Sequence, residues 1–282
     1  LGAGSSMADY RIGFKWWALI IAVVFVISEL VCVACVPERP VACDEKPGKI
    51  SDMFKALFKN DQAMTVVVSI ILVYTSLNIC GNLVLYFFRF DVGNEGAYSI
   101  FAAVAFAAQV LVMMVIPLLR KRFSKGQLFV SGFIIQIAGF AVILIMAFAK
   151  LYTPQSWYIL CLPGILIYLG YGMLNVIMTI FLSDSVDYGE VMNGTREESV
   201  IFSMQTFTVK LASGVAVFLA GLVVDWIHLD TAAAVQTQDT LDALRMWMTI
   251  PSVILLIVGI FVFKRFYKLD DTRMEEIKSK LN

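Results

Sequence analysis

The sequence predicts an all-α integral membrane protein with seven transmembrane helices. Hydrophobic residues make up 60% of the chain, charged residues only 16%, and the mean hydropathy is +0.81. Soluble domains carry about a quarter charged residues, so this composition is typical of a membrane protein. The apolar residues gather into runs long enough to cross a ~30 Å hydrocarbon layer as helices. The predicted spans are residues 15–36, 63–88, 99–119, 127–149, 156–182, 199–226 and 246–263.

Lysine and arginine predict the orientation of these spans. They are concentrated in the connections 37–62 and 120–126 and in the tail after residue 263, whereas the alternate connections carry one basic residue each. The positive-inside rule places the basic segments in the cytoplasm, which puts the N-terminus outside and the C-terminus inside. The tryptophans agree, because all of them fall at predicted outer ends: Trp16, Trp17, Trp157, Trp226 and Trp247. We expect a multi-pass protein of the plasma membrane, in contact with lipid and of the bacterial inner membrane type.

The number of helices predicts the domain organisation. Without the first span, six helices are entered and left from the cytoplasm, which is the shape of half of a twelve-helix transporter built from repeats. We therefore expect residues 1–36 to hold the last helix of a missing N-terminal half, and the absence of an initiator methionine favours this. Residues 37–62 are then a cytoplasmic middle loop, 63–263 a C-terminal six-helix bundle, and 264–282 a solvated cytoplasmic tail with a short amphipathic helix.

Several classes of function are disfavoured by the composition. The net charge is zero, which gives no attraction to nucleic acid. The single histidine, His228, and the cysteines Cys32 and Cys35 within an apolar run form no ligand set for a metal. The sequence has no glycine-rich phosphate loop and no nucleophile elbow. We expect neither an enzyme nor a bound cofactor, and no metal site in this segment.

A lysine near the middle of the sixth span is the first candidate site residue. Lys210 lies about 16 Å into the run that begins at Val200, close to the centre of the hydrocarbon layer. A charge there costs at least ~2.5 kcal/mol, so the side chain is expected to face the bundle interior or a wet cavity. Two interpretations stay open: a substrate or ion pathway, and a structural lysine paired with a carboxylate.

Polar residues accompany this lysine on its own helix and on the preceding one. Thr206 shares its helical face, while Gln205 and Val209 lie at the margin of that face. Asn175, on the antiparallel fifth span, is expected at a similar depth. Such a face suits hydrogen bonding to a polyhydroxy ligand, and it is equally typical of small-residue helix packing with polar contacts.

A charged segment between the fifth and sixth spans is a candidate cytoplasmic gate. Asp184 and Asp187 are expected on one face of the helix end, where Arg196 can reach either of them, with Glu198 close by. Gly189 and Gly194 permit a tight turn. The alternative is a solvated loop, whose surface ion pairs each contribute less than ~1 kcal/mol.

The segment Asp184–Glu190, the segment Gly194–Ser199 and the segment Phe202–Lys210 together resemble the glycoside–pentoside–hexuronide:cation symporters of the major facilitator superfamily. Over its whole length the chain is similar to helices six to twelve of that family. The resemblance implies secondary active uptake of a sugar or glycoside, coupled to Na⁺ or H⁺ by alternating access. The coupling cation is then expected to bind mainly through carboxylates of the missing N-terminal half.

The resemblance also implies roles for individual residues. The family's lysine near the sugar and cation sites falls on Lys210, and its neighbouring pocket positions fall on Gln205, Thr206 and Val209. A pocket position that is aromatic in a family member falls on Asn175. The family's cytoplasmic gating network falls on Asp184, Asp187, Arg196 and Glu198.

Two alternatives of other classes remain at this point. One is a seven-helix receptor or retinal-type protein, in which Lys210 is the Schiff-base lysine. The other is a structural membrane subunit without transport activity.

Overall fold

The structure is a computed structural model that describes residues 7–35, 58–194, 196, 198–233 and 235–281. The chain divides into two units, residues 1–48 and 49–282. The first unit contributes helix α1, Met7–Cys35, and the second contributes all the other helices. These are α2 (Asp61–Tyr86), α3 (Ala97–Leu119), α4 (Lys125–Phe148), α5 (Cys161–Asn193), α6 (Glu198–Trp226), α7 (Gln238–Phe266) and α8 (Asp271–Leu281).

The prediction of seven membrane-length helices is confirmed, since α1 to α7 are each long and apolar enough to cross a membrane. The predicted division into domains stays a prediction, and most of the proposed middle loop, residues 37–57, lies outside the described part of the chain. Three predicted boundaries are wrong. Helix α1 begins at Met7 instead of residue 15, α5 continues to Asn193, well past the predicted end at residue 182, and α7 begins at Gln238 instead of residue 246. These extensions contain polar residues, which a search for apolar runs does not detect.

Helix α2 is the centre of the six-helix bundle and packs against α5, α6 and α7. Its start is fixed by Asn60, whose side-chain oxygen accepts the N–H of Ala63 at 2.9 Å. The Asn60 amide donates to the carbonyl of Ser185 at 2.8 Å, which joins α2 to the C-terminal part of α5. Gly189 makes room for this contact, because a Cβ there would lie 2.8 Å from the Asn60 amide nitrogen.

A reciprocal pair of serines joins α2 to α7 inside the bundle. The Ser252 hydroxyl donates to the Ser76 carbonyl at 2.8 Å, and the Ser76 hydroxyl donates to the Ser252 carbonyl at 3.1 Å. Both serines are fully buried. Hydrogen bonds of this kind hold membrane helices together where no hydrophobic driving force exists between them.

Glycine brings α4 and α5 into close contact. A Cβ on Gly170 would lie 2.5 Å from the Gly132 carbonyl and 2.6 Å from the Gln136 nitrogen. Gly170 therefore lets the two backbones approach closely, as small residues commonly do in membrane bundles. Helix α4 also packs against α7, and α3 packs against α5.

The end of the bundle where α4 begins and α7 ends is held by aromatic packing and by the C-terminal tail. Phe129, Phe181 and Phe263 meet between α4, α5 and α7, with ring centroids 4.2 to 5.2 Å apart. The expectation of a short helix in the tail is confirmed by α8. The expectation that this tail is merely solvated is wrong, because α8 buries Met274 and Ile277 in a cluster against α5.

Candidate functional site

A row of polar side chains follows one face of α2. Tyr74, Asn78 and Asn82 recur at four-residue spacing, so they lie on the same side of the helix. Each asparagine amide donates at 2.7 Å to the backbone carbonyl of the polar residue four positions earlier. Among the residues that the structure describes, none donates a hydrogen bond to the side-chain oxygen of Asn78 or Asn82.

Helix α5 contributes the neighbouring part of the polar face. The Asn175 amide donates to the Tyr74 hydroxyl at 2.5 Å, and the Tyr171 ring packs edge-on against Tyr74 with a centroid separation of 5.5 Å. One turn along, the Thr179 hydroxyl donates to the Asn175 carbonyl at 3.1 Å. Asn175 thus lies in a partly buried group of tyrosine, amide and hydroxyl side chains.

Helix α6 joins this face through Gln205, whose amide is 3.4 Å from the Thr179 hydroxyl. The structure therefore places Gln205 beside Thr179, one helical turn from Asn175 on the adjoining helix. Val209 is partly buried, whereas Thr206 and Lys210 are exposed on α6. Within the described part of the chain, no hydrogen bond or salt bridge reaches Lys210. Tyr74 and Tyr171 are not among the site residues predicted from sequence. The available signals were the four-residue spacing of Tyr74 from Asn78 and of Tyr171 from Asn175.

The charged segment contains an arginine with three acidic neighbours. Arg196 Nη1 is 3.0 Å from Asp187 and 2.8 Å from Glu190, and its Nε is 3.1 Å from Glu198. Gly194 ends α5 at φ +73°, a conformation that favours glycine, and this turn returns the chain toward α6. The hydrogen bonds to Glu190 and Asp187 raise the pKa of the Arg196 guanidinium above its ordinary value. We call Asp187, Glu190, Arg196 and Glu198 the Arg196 cluster.

Asp184 lies three residues before Asp187 on α5, but it contacts a different partner. It is buried against α4, where it forms a salt bridge with Lys125, the first residue of that helix. Lys125 also lies 3.6 Å from Asp271 of α8, and Arg120 lies 3.3 Å from the same carboxylate. Although the two aspartates lie three residues apart on helical α5, Asp184 pairs with Lys125 of α4 and Asp187 pairs with Arg196. In the sequence, Lys125 belongs to the basic connection 120–126, and its position there does not predict the pairing with Asp184.

A second ion-pair network lies at the opposite end of the bundle. Arg245, in the first turns of α7, binds Asp91 through two nitrogens at 2.8 and 2.5 Å and Asp242 at 2.7 Å. Asp91 ends a widened π-helical turn after α2, and it accepts the Tyr152 hydroxyl at 2.6 Å. Burial, and then this hydrogen bond, raise the pKa of the Tyr152 phenol, which stays protonated as a donor. We call Asp91, Tyr152, Asp242 and Arg245 the Arg245 cluster.

Tryptophans mark the same end of the bundle as the Arg245 cluster. Trp226 closes α6 and Trp247 lies in the early turns of α7, and their ring centroids are 5.3 Å apart. Paired indoles at helix ends are typical of the interfacial region of a membrane.

The residues that the structure describes contain no group of three or more histidine, cysteine or acidic side chains placed to hold a metal.

Seven membrane-length helices define a multi-pass membrane protein, and a polar face shared by three of them is typical of a transporter. Residues 2–271 match the family model described as MFS/sugar transport protein, and the chain belongs to that family. Its members are transporters and not enzymes, which confirms that expectation and argues against a receptor or retinal-type protein. The resemblance to the sugar:cation symporters is likewise confirmed.

Curated bacterial relatives name the kinds of molecule that similar proteins carry. The chain is 24% identical to the raffinose carrier protein of Pediococcus pentosaceus, an alignment that covers 98% of this chain and 43% of the relative. It is 25% identical to the isoprimeverose transporter of Lactiplantibacillus pentosus, over 95% of this chain and 54% of the relative. A lactose permease of Lactobacillus delbrueckii is 24% identical, over 95% and 42%. The chain spans about half the length of these curated relatives.

Proposed function

We propose that this chain is the C-terminal half of a secondary active transporter that takes up a sugar or glycoside together with Na⁺ or H⁺. The observation that carries the proposal is the polar face that runs from Tyr74 on α2 through Asn175 on α5 to Gln205 on α6. Tyrosine rings and amides are suited to a sugar, because a ring covers an apolar sugar face while amides pair with hydroxyls.

The lysine on the adjoining part of α6 fits the same proposal. Lys210 and Thr206 are exposed in this half of the molecule. An ammonium that faced lipid at the bilayer centre would be costly, so its place is against a polar surface supplied by the other half. A carboxylate there would serve as its counter-charge and as a ligand for the coupling cation. In this scheme Val209 borders the cavity, and the cavity closes and opens by alternating access.

The Arg196 cluster is proposed as part of the cytoplasmic gate. Its pairs are partly exposed to solvent, so they form in one end state and break in the other at small cost. Asp184 belongs to the same gate in a different way, because its buried pair with Lys125 anchors the inner end of α5 to α4.

The sugar site is tested by replacing Lys210 in the full-length transporter. Lys210→Met removes a membrane-insertion cost, so normal expression is expected, together with loss of uptake of labelled raffinose, isoprimeverose and lactose under a sodium or proton gradient. Lys210→Arg should rescue poorly, since a planar guanidinium needs a different cavity from an ammonium. Lys150→Met, at an exposed loop lysine, is the matched control and should transport normally.

A structural lysine predicts the reverse result. Lys210→Met would then express badly, and whatever protein reached the membrane would still take up sugar. Normal uptake by a well-expressed Lys210→Met variant contradicts the proposed site.

The proposed orientation, with the N-terminus of this segment outside and the C-terminus in the cytoplasm, has a separate test. Single cysteines at Arg122 and Ser279 should be protected from a membrane-impermeant thiol reagent added to intact cells, while one at Gly96 should react. All three positions are exposed, so protection reports the membrane side rather than burial. Labelling at Arg122 from outside would reverse the assignment.

A further inference from the structure

A basic pocket lies at the end of α3 and α4 where they meet the tail helix. Its volume is about 490 Å³, and it opens between the α3–α4 turn and α8. Ten residues line it, mostly from these two segments: Arg120, Lys121, Arg122, Phe123, Ser124, Lys125, Asp271, Met274, Glu275 and Lys278.

The positive charge of this pocket is only partly neutralised from within. Arg120 and Lys125 both contact Asp271, and Lys125 also pairs with Asp184. In the described part of the chain, no salt bridge involves the other cations of the pocket, Lys121, Arg122 and Lys278. All of these are exposed, and they face an opening large enough for a phosphate group with its substituent.

An apolar path leads from the membrane to this pocket. Along α3, Leu111, Met114 and Leu118 recur at three- and four-residue spacing and are 60 to 71% exposed, so they form a stripe on the outer surface of the bundle. The stripe ends at the turn that carries the basic residues, and the Phe123 ring at that turn is also exposed. A ligand that fits both features is amphipathic, with an anionic head and long apolar chains.

We propose that the pocket binds the headgroup of an anionic phospholipid. Lys121 and Arg122 hold the phosphate from the α3–α4 turn, Lys278 reaches it from α8, and the acyl chains follow the exposed stripe of α3. Basic pockets at the ends of membrane helices are suited to such headgroups, since each lysine or arginine near the surface adds to the attraction. The bound lipid would connect the turn to the tail helix, and through Asp271 and Lys125 to the buried Asp184. This proposal does not depend on which sugar is carried.

The test is lipid binding by the purified full-length protein. Delipidated protein is titrated with phosphatidylglycerol or with phosphatidylcholine of the same acyl chains, and bound lipid is counted by native mass spectrometry. We expect preferential binding of phosphatidylglycerol, and a loss of affinity on the order of tenfold or more in the Lys121→Gln/Arg122→Gln variant. Lys278→Gln, on the opposite wall, should weaken binding by a smaller factor.

The matched control is Lys264→Gln/Arg265→Gln. It removes the same charge from adjacent exposed residues at the end of another membrane helix, outside the pocket. The control should bind phosphatidylglycerol as the unchanged protein does.

Three results would overturn the proposal. One is equal affinity for the two lipids, and another is an equal loss in the pocket and control variants, which would indicate a general surface charge effect. The third is displacement of phosphatidylglycerol by inorganic phosphate, which would make the pocket a site for a free anion. None of these results bears on sugar uptake, so the lipid proposal and the transport proposal fail independently.

Discussion

The two ends of the six-helix bundle hold an arginine in different ways. At one end, Arg245 and its partner Asp91 each have only 3% of the side chain exposed, and their contact is a two-point hydrogen bond. At the other end, the Arg196 side chain is 45% exposed, and each of its carboxylate partners is contacted by a single guanidinium nitrogen. Both arginines contact several acidic residues, yet their surroundings predict opposite roles.

Burial decides how costly it is to separate such a pair. A buried charge that loses its partner costs about 3–5 kcal/mol, because it is left without compensation. An exposed pair gives at most about 1 kcal/mol, because water replaces the partner. The Arg245 cluster is therefore suited to a permanent connection between α2, α7 and the loop that carries Tyr152. The Arg196 cluster is suited to a connection that forms and breaks in each transport cycle.

The largest expected effect is at Arg245. Arg245→Met leaves the buried Asp91 carboxylate unpaired, so the free energy of unfolding should fall by about 3–5 kcal/mol in the full-length protein. Thermal unfolding in detergent, with expression level as a second measure, would detect this loss. Asp91→Leu/Arg245→Met removes both charges and should recover most of the stability. If Arg245→Met alone unfolds like the unchanged protein, the cluster is not the permanent connection we infer.

A third ion pair separates the effect of burial on stability from the effect of position in the bundle. Lys125 lies at the same end as Arg196, yet its side chain is only 10% exposed and Asp184 only 6%. If burial rather than position sets the cost, Lys125→Met should lower the unfolding free energy by about 3 kcal/mol. Lys264→Met, at an exposed lysine of the same end of the bundle and outside the basic pocket, is the control and should change it by less than about 1 kcal/mol. Equal effects of the two substitutions would show that exposure does not govern these pairs.

The two clusters also differ in how far the sequence predicts them. The Arg196 cluster is local, because Asp187, Glu190 and Glu198 lie within nine residues of the arginine. A glycine that can adopt positive φ, Gly194, lies between the two sides. The gate predicted from sequence therefore contains three of its members and lacks only Glu190, which lies in the polar helical turns beyond the predicted end of α5.

The Arg245 cluster joins residues that are 154 positions apart, so no spacing in the sequence points to it. The pairing depends on α2 packing against α7 and on the widened turn that carries Asp91. The pairing of Lys125 with Asp184 is long-range for the same reason. Apolar runs predict that helices exist, whereas the partners of their polar residues follow from how the helices pack.

The candidate sugar site is intermediate between the two clusters in how far the sequence predicts it. The periodicity of α6 placed Thr206 and Lys210 on one face from sequence alone, and both are exposed on that helix in the structure. The contact from Asn175 to Tyr74, by contrast, crosses from α5 to α2 and needed the fold. Within a helix the sequence specifies the face, but it does not specify which neighbouring helix completes it.

The smallest expected effect on stability, and the most informative one for mechanism, is at Arg196. Because its pairs are exposed, Arg196→Ala should lower the free energy of unfolding by less than about 1 kcal/mol. If these pairs stabilise one end state of the transport cycle, the same change should slow maximal sugar uptake more than it changes the concentration needed for half-maximal uptake. Initial uptake rates over a range of sugar concentrations, beside thermal unfolding, measure both quantities. Arg265→Ala, at an exposed arginine at the end of α7, should leave both unchanged. Unaltered uptake kinetics in Arg196→Ala would show that the cluster consists of surface ion pairs without a role in transport. A loss of stability as large as that of Arg245→Met would show that the two ends of the bundle do not differ in the cost of breaking their ion pairs.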